Sequence, residues 1–208
     1  MIVIVVTGSV AMGKTEACKH FSIYKIPVFD ADKEVKNVLK KSNVVVKIKK
    51  NFPKAVNLGN INKKLLAKEV FKNKEELIRL EKLIYPYLKT LEEKWIRRMI
   101  RLRKKIVVFD IPLLFEKSNI KKFDIILVVT SAKSIQKNRA LKRKDWDLAR
   151  LESVLKNQLS DYKKRKLADI VIKTDRGKNF LNKNINQIIK KDFLNFKHRS
   201  IVNILRQY

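Results

Sequence analysis

The feature that most constrains this chain is the junction where the apolar run IVIVVT, residues 2 to 7, passes into GSVAMGKT and then EACKHF. An unbroken β-branched run suits a strand buried on both faces, and KTEACKHFSIY reads as a helix. The eight residues between them satisfy G-x-x-x-x-G-K-[ST], with the strand before and the helix after that a phosphate-binding loop requires. Each part has a physical task. Gly8 and Gly13 allow tight turns and close approach, so that amides and the positive end of the next helix face an anion. Lys14 supplies a mobile cation for the outer phosphates, and the Thr15 hydroxyl can join the coordination shell of Mg²⁺. Ala11, Met12 and Glu16 complete the stretch expected to lie along the phosphates of the bound nucleotide, ATP if the chain is a kinase.

The loop alone does not separate a kinase from a GTPase or a motor-type ATPase. A GTPase should carry N-K-x-D after a later strand, whereas the chain gives SAKS after FDIILVVT. A short chain without a second hydrolysis module fits a small-molecule kinase better.

Further apolar runs predict strands at IPVFD (26–30), KIVVFD (105–110), FDIILVVT (123–130) and ADIVIKT (168–174). Helical patterns fill the intervals: 31–41, a helix capped by Asn62, a long segment from Lys74 to about Lys104 with a break or kink at Pro86, 134–146, 148–167, and a basic helix closing the chain. The stretch NFPKAVNLGNIN is the least patterned and reads as a loop. Strands alternating with helices imply a mostly parallel sheet covered on both faces, an α/β fold whose ligands bind at the carboxyl ends of the strands. A chain of 208 residues forms one globular unit of this kind. No apolar run approaches a membrane span, and MIVIVV lacks the flank and cleavage site of a signal peptide, so a cytoplasmic location and no membrane partner are expected. The single cysteine, Cys18, falls within the first helix and reads as a packing residue.

A formal net charge of +30 invites a nucleic-acid reading. Yet 38 of the 50 basic residues are Lys and only 12 Arg, and they are spread along the chain. Solvated faces and an A+T-rich coding bias account for this better than a dedicated surface, so no specific nucleic-acid partner is expected. Nothing in the sequence sets an oligomeric state.

Asp30 and Asp32 end the second strand, expected beside the first. Either could be the carboxylate that orients an acceptor hydroxyl for in-line attack, and a pair of turn and capping aspartates is an equal alternative. Asp110 closes another strand, where an acid can orient the Mg²⁺ shell. Arg139 and Arg143 are four apart, on one face if the helix continues, and guanidinium groups grip phosphate oxygens in two places.

GSVAMGKT, VFDADKEV, DIPLLFE at 110–116, the Q-x-x-R-x-L-x-R stretch from Gln136 to Arg143, and LADIVIKTDRG at 167–177 resemble, in order and spacing, the dephospho-coenzyme A kinase family. That resemblance implies a P-loop kinase fold: a five-stranded parallel sheet flanked by helices, with a core at about 1–60 and 104–208, a helical acceptor-binding region at about 61–103 and a lid at about 143–166. It implies transfer of a phosphoryl group from ATP, with Mg²⁺, to the ribose 3′-hydroxyl of dephospho-coenzyme A, the last step of coenzyme A synthesis. Asp32 matches the family's base, Lys14 and Arg139 the groups at the transferring phosphate, Arg143 the start of the lid on the ATP side, and Tyr85 and Leu114 the acceptor side. Two departures stand out: Tyr85-Pro86 replaces a His-Pro pair, and TDRG replaces an Asn-containing turn. Another small-molecule or nucleotide kinase, or a basic nucleic-acid-associated ATPase, remains the alternative.

Overall fold

The computed structural model describes residues 1–70, 73–117 and 120–190. The chain opens with β1 (Ile2–Thr7), α1 (Lys14–Ile23) and β2 (Val28–Asp30). It continues through α2 (Ala31–Val38), α3 (Ser42–Asn51), a hairpin of β3 (Val56–Asn57) and β4 (Asn60–Ile61), α4 (Lys63–Val70) and the long α5 (Lys74–Arg101). There follow β5 (Ile106–Asp110), α6 (Leu114–Lys117), β6 (Ile125–Thr130), α7 (Lys133–Leu141), α8 (Leu148–Lys156), α9 (Asp161–Lys166), β7 (Ile170–Lys173) and α10 (Lys178–Lys190). The remainder of the expected closing helix lies outside the described residues.

Two compact units result, one from Met1–Phe29 with the chain from Met99 on, the other from Asp30–Arg98. The larger unit holds the sheet, whose order is β2-β5-β1-β6-β7. β1 runs parallel to β5 and β6, and β6 runs parallel to β7. Val3, Ile4, Val5 and Val6 are fully buried, as a β-branched run covered on both faces should be. On one face Ile4 and Val6 pack with Ala17 and Phe21 of α1 and with Leu181, Ile185 and Ile188 of α10.

This order corrects one expectation. β2 is not beside β1, because the chain leaves the sheet after Asp30 and returns as β5, which takes the place between them. The register Val6↔Asp110 therefore makes Asp110, and not Asp30, the acid that ends the strand next to the loop.

The smaller unit starts at Asp30 rather than near residue 61, because Val38, Val44, Ile48 and Phe52 share one core with Leu66, Val70 and Ile84. The stretch expected to be a plain loop contains a hairpin, closed by Leu58 and Gly59 at φ of 46° and 74°, the left-handed pair that suits a two-residue turn. The preceding α3 escaped the sequence reading, its valines being masked by lysines. Asn62 Oδ1 does accept from the amides of Lys64 and Leu65, as a cap should. α5 runs unbroken past Pro86, with Thr90 Oγ1 donating to the Pro86 carbonyl at 3.0 Å. The single helix expected over 148–167 is two, since Ser160 caps α9 by accepting from Lys163 N. Among the described residues no helix is long and apolar enough to cross a membrane.

The amino end of β6 is fastened to β1 by one residue: Asp124 N donates to Val3 O at 2.9 Å, and Asp124 Oδ2 accepts from Val3 N at 2.8 Å. Asp124→Ala strips the Val3 amide of its acceptor in a buried place, so unfolding stability should fall by about 1–3 kcal/mol, read as a lower denaturant midpoint at unchanged slope, while Asp124→Asn retains most of it.

Candidate active site

The site begins where β1 stops. A Cβ on Gly8 would lie 2.6 Å from the Val129 carbonyl oxygen of β6, so the chain can turn there only without a side chain. Gly13, at φ 94°, presses against β7's end: a Cβ would lie 2.8 Å from Thr174 Oγ1. Between them Ala11 adopts a left-handed φ of 61°. Gly13 is the N-cap of α1 and contributes no side-chain cap, which leaves the first amides of the helix directed at the concavity of the loop. A helix start of this form is an anion site by construction.

Lys14, the first residue of α1, forms an ion pair with Asp110 Oδ1. The register of β5 on β1 brings that carboxylate to the loop. Thr15 follows and is exposed. Among the described residues no cluster of three or more His, Cys, Asp or Glu could cage a metal. The oxygen donors at the loop that could hold a hard cation such as Mg²⁺ are the Thr15 hydroxyl and the Asp110 carboxylate.

Met12 and Glu16 point elsewhere. Met12 is buried, its Sδ accepting from the amide and hydroxyl of Ser131 at 3.1 Å each. Glu16 N donates to Gly13 O, and its carboxylate lies 3.5 Å from Lys178 Nζ. Both groups of Glu16 are thus engaged within the protein, and this geometry lends its expected ATP contact no support.

Arg139 leaves α7 toward the end of β7. Its Nη1 donates to Thr174 Oγ1 and its Nη2 to the Thr174 carbonyl, each at 2.8 Å. The Thr174 hydroxyl in turn donates to Met12 O at 2.7 Å. One hydroxyl therefore joins the phosphate loop to the arginine. Sequence reasoning passed over Thr174, although it stands in the departing TDRG turn.

α7 ends at Leu141 with Lys142 as its cap, so the shared helix face expected for Arg139 and Arg143 does not exist. Arg143 instead stacks on Trp146 at 5.3 Å, and Arg150 stacks on the same ring at 5.2 Å. In the expected lid region, Trp146, Leu151 and Leu155 pack on Val10 and Ala11 of the loop.

The acceptor-side expectations divide. Leu114 is fully buried in the larger unit. Tyr85 is exposed on α5 in the smaller unit. Of the two aspartates, Asp30 is the N-cap of α2, accepting from Lys33 N at 2.9 Å, and Asp32 lies in the exposed first turn of that helix.

A model of the dephospho-CoA kinase family matches residues 2–179. A dephospho-CoA kinase from Bartonella quintana is 38% identical over 176 residues, spanning 85% of this chain and 90% of its own length. A crystal structure from Thermus thermophilus superimposes with a TM-score of 0.81 at 26% identity, covering 90% of this chain and 96% of that one. The dephospho-CoA kinase from Campylobacter jejuni, at 22% identity and a TM-score of 0.67 over 90% of this chain and 94% of its own, shares the fold. A phosphate loop built on a buried strand, with its lysine against a strand-end acid, and a family match running from that strand to the start of α10 lead to one conclusion: the chain belongs to the dephospho-CoA kinase family.

Proposed function

We propose that the protein transfers the γ-phosphoryl group of ATP to the ribose 3′-hydroxyl of dephospho-coenzyme A, giving coenzyme A and ADP. The observation that carries this reading is the phosphate loop with Lys14 paired to Asp110, in a chain of this family. Lys14 exchanges its carboxylate partner for the phosphates as ATP enters, which keeps the cation at the loop in both states. Asp110 and the Thr15 hydroxyl are the groups that would hold Mg²⁺ at the loop. Mg²⁺, when bound, supplies charge neutralisation on the phosphates.

Arg139, fixed by Thr174, adds a guanidinium beside the loop, and Arg143 extends the positive lining from the lid side. The base assigned to the acceptor is Asp32, which matches the second acid of the family's D-A-D stretch. Its carboxylate takes the proton of the 3′-hydroxyl as the oxygen attacks phosphorus and the bond to the ADP oxygen breaks. Tyr85, in place of a histidine, offers one hydrogen bond to the acceptor through its hydroxyl. Packing of the lid on Val10 and Ala11 excludes water from the loop, which limits hydrolysis of ATP.

ADP release with ATP and Mg²⁺ should be confined to dephospho-coenzyme A in a panel that includes adenosine, nucleoside monophosphates and no acceptor. Turnover with another acceptor would make the protein a different small-molecule kinase, and equal release in every tube would make it a hydrolase. Replacing Asp32 by Ala should lower turnover by about 100-fold or more while the affinity for ATP stays within about two-fold. Full turnover in Asp32→Ala would remove this residue from the reaction.

A further inference from the structure

Glu116 belongs to none of the roles above, yet one of its oxygens does two things. Oε1 accepts from the amide of Leu159 at 2.7 Å and lies 2.9 Å from the ammonium of Lys164. Lys164 is fully buried, a rare setting for lysine and one tolerated when a carboxylate is fixed against it. Leu159 lies in the junction between α8 and α9, and Lys164 lies in α9. Residue 158 of the same junction turns to the phosphate loop, where Gln158 Oε1 accepts from Val10 N at 3.1 Å. The carbonyl of Val10 accepts from Gln136 Nε2 at 2.8 Å. Both main-chain polar groups of the third loop residue are therefore held by glutamines, and one of those glutamines is adjacent to the Glu116 anchor.

We propose that Glu116 is a positioning residue for nucleotide binding: through Leu159 and Lys164 it fixes the α8–α9 junction, so that Gln158 sets the conformation of the phosphate loop at Val10. The end of β5 and the segment after it then both act on the loop, through Asp110 on Lys14 and through Glu116 on Val10. This inference rests on the nucleotide part of the function proposed above and is independent of the acceptor.

The test is calorimetric affinity for ADP with Mg²⁺, measured without acceptor, on the full chain. E116Q/K164M and E116M/K164M both remove the buried charges, but only the first keeps an oxygen for the Leu159 amide. E116Q/K164M should bind within about two-fold of wild type, whereas E116M/K164M and Q158L should each bind about ten-fold more weakly, the scale of one lost hydrogen bond. Combining E116M/K164M with Q158L should add little, because all three changes break one chain of contacts. Equal affinities for E116Q/K164M and E116M/K164M, or losses that simply add, would overturn the proposal. A merely structural Glu116 would lower thermal stability in both double variants without separating their affinities. Wild-type protein that binds no ADP would overturn the nucleotide reading as well, while normal ADP binding with a failed acceptor panel would leave this proposal standing.

Discussion

Confinement of β1 between β5 and β6 is the constraint on which the rest of the structure depends. Its four central residues are fully buried, and its register is locked on both sides, Ile2 through Val6 against Ile106 through Asp110 and Ile4 through Thr7 against Ile125 through Val128. A one-residue slip would turn each of its side chains to the other face, which a strand packed this closely resists. The point at which the chain must turn is thereby set, and Gly8 meets it with Val129 where no side chain fits. α1 then starts with its unpaired amides facing the same concavity. The phosphate site is a consequence of how the strand ends.

Charge organises what surrounds that point. Against 50 basic residues the chain has 20 acidic ones, so where a carboxylate is buried it has a definite task. Asp110 takes Lys14, Glu116 takes Lys164 and the Leu159 amide, and Asp124 takes the Val3 amide. Asp110 ends β5, the strand that the fold inserts beside β1, and Glu116 lies in the short helix that follows it. The surplus of positive charge elsewhere favours encounter with anionic ligands, and ATP and dephospho-coenzyme A are both polyanions.

Much of the fold was legible because the sheet strands are apolar and continuous. IVIVVT, IVVFD and IILVVT could not be confused with amphipathic helices, and G-x-x-x-x-G-K-T fixed the direction in which the first of them points. Strand order was not legible: where β5 lies depends on the path the chain takes through the smaller unit, which leaves no local mark. The helices from 31 to 61 were read incompletely for a different reason. Lysines interrupt the apolar spacing of SNVVVKIKKN, and Val44 and Ile48 declare themselves only by meeting Phe52 and Leu66. At the site, residues that act through backbone geometry or charge type, Gly8, Gly13 and Lys14, were readable. Thr174, Gln158 and Lys164 were not, because an ordinary hydroxyl, an amide and one lysine among 38 carry no pattern until the fold brings them to Met12, Val10 and Glu116.

The central claim is that this loop delivers phosphate to one particular oxygen. The most direct measurement is phosphorus NMR of the product formed from ATP, Mg²⁺ and dephospho-coenzyme A, with a 3′-deoxy acceptor run in parallel. The account requires a new monoester resonance coupled to the ribose 3′ proton, formed in step with ADP and absent with the 3′-deoxy compound. A monoester at the 2′ position, transfer to the 3′-deoxy acceptor, or inorganic phosphate as the sole new signal would contradict it.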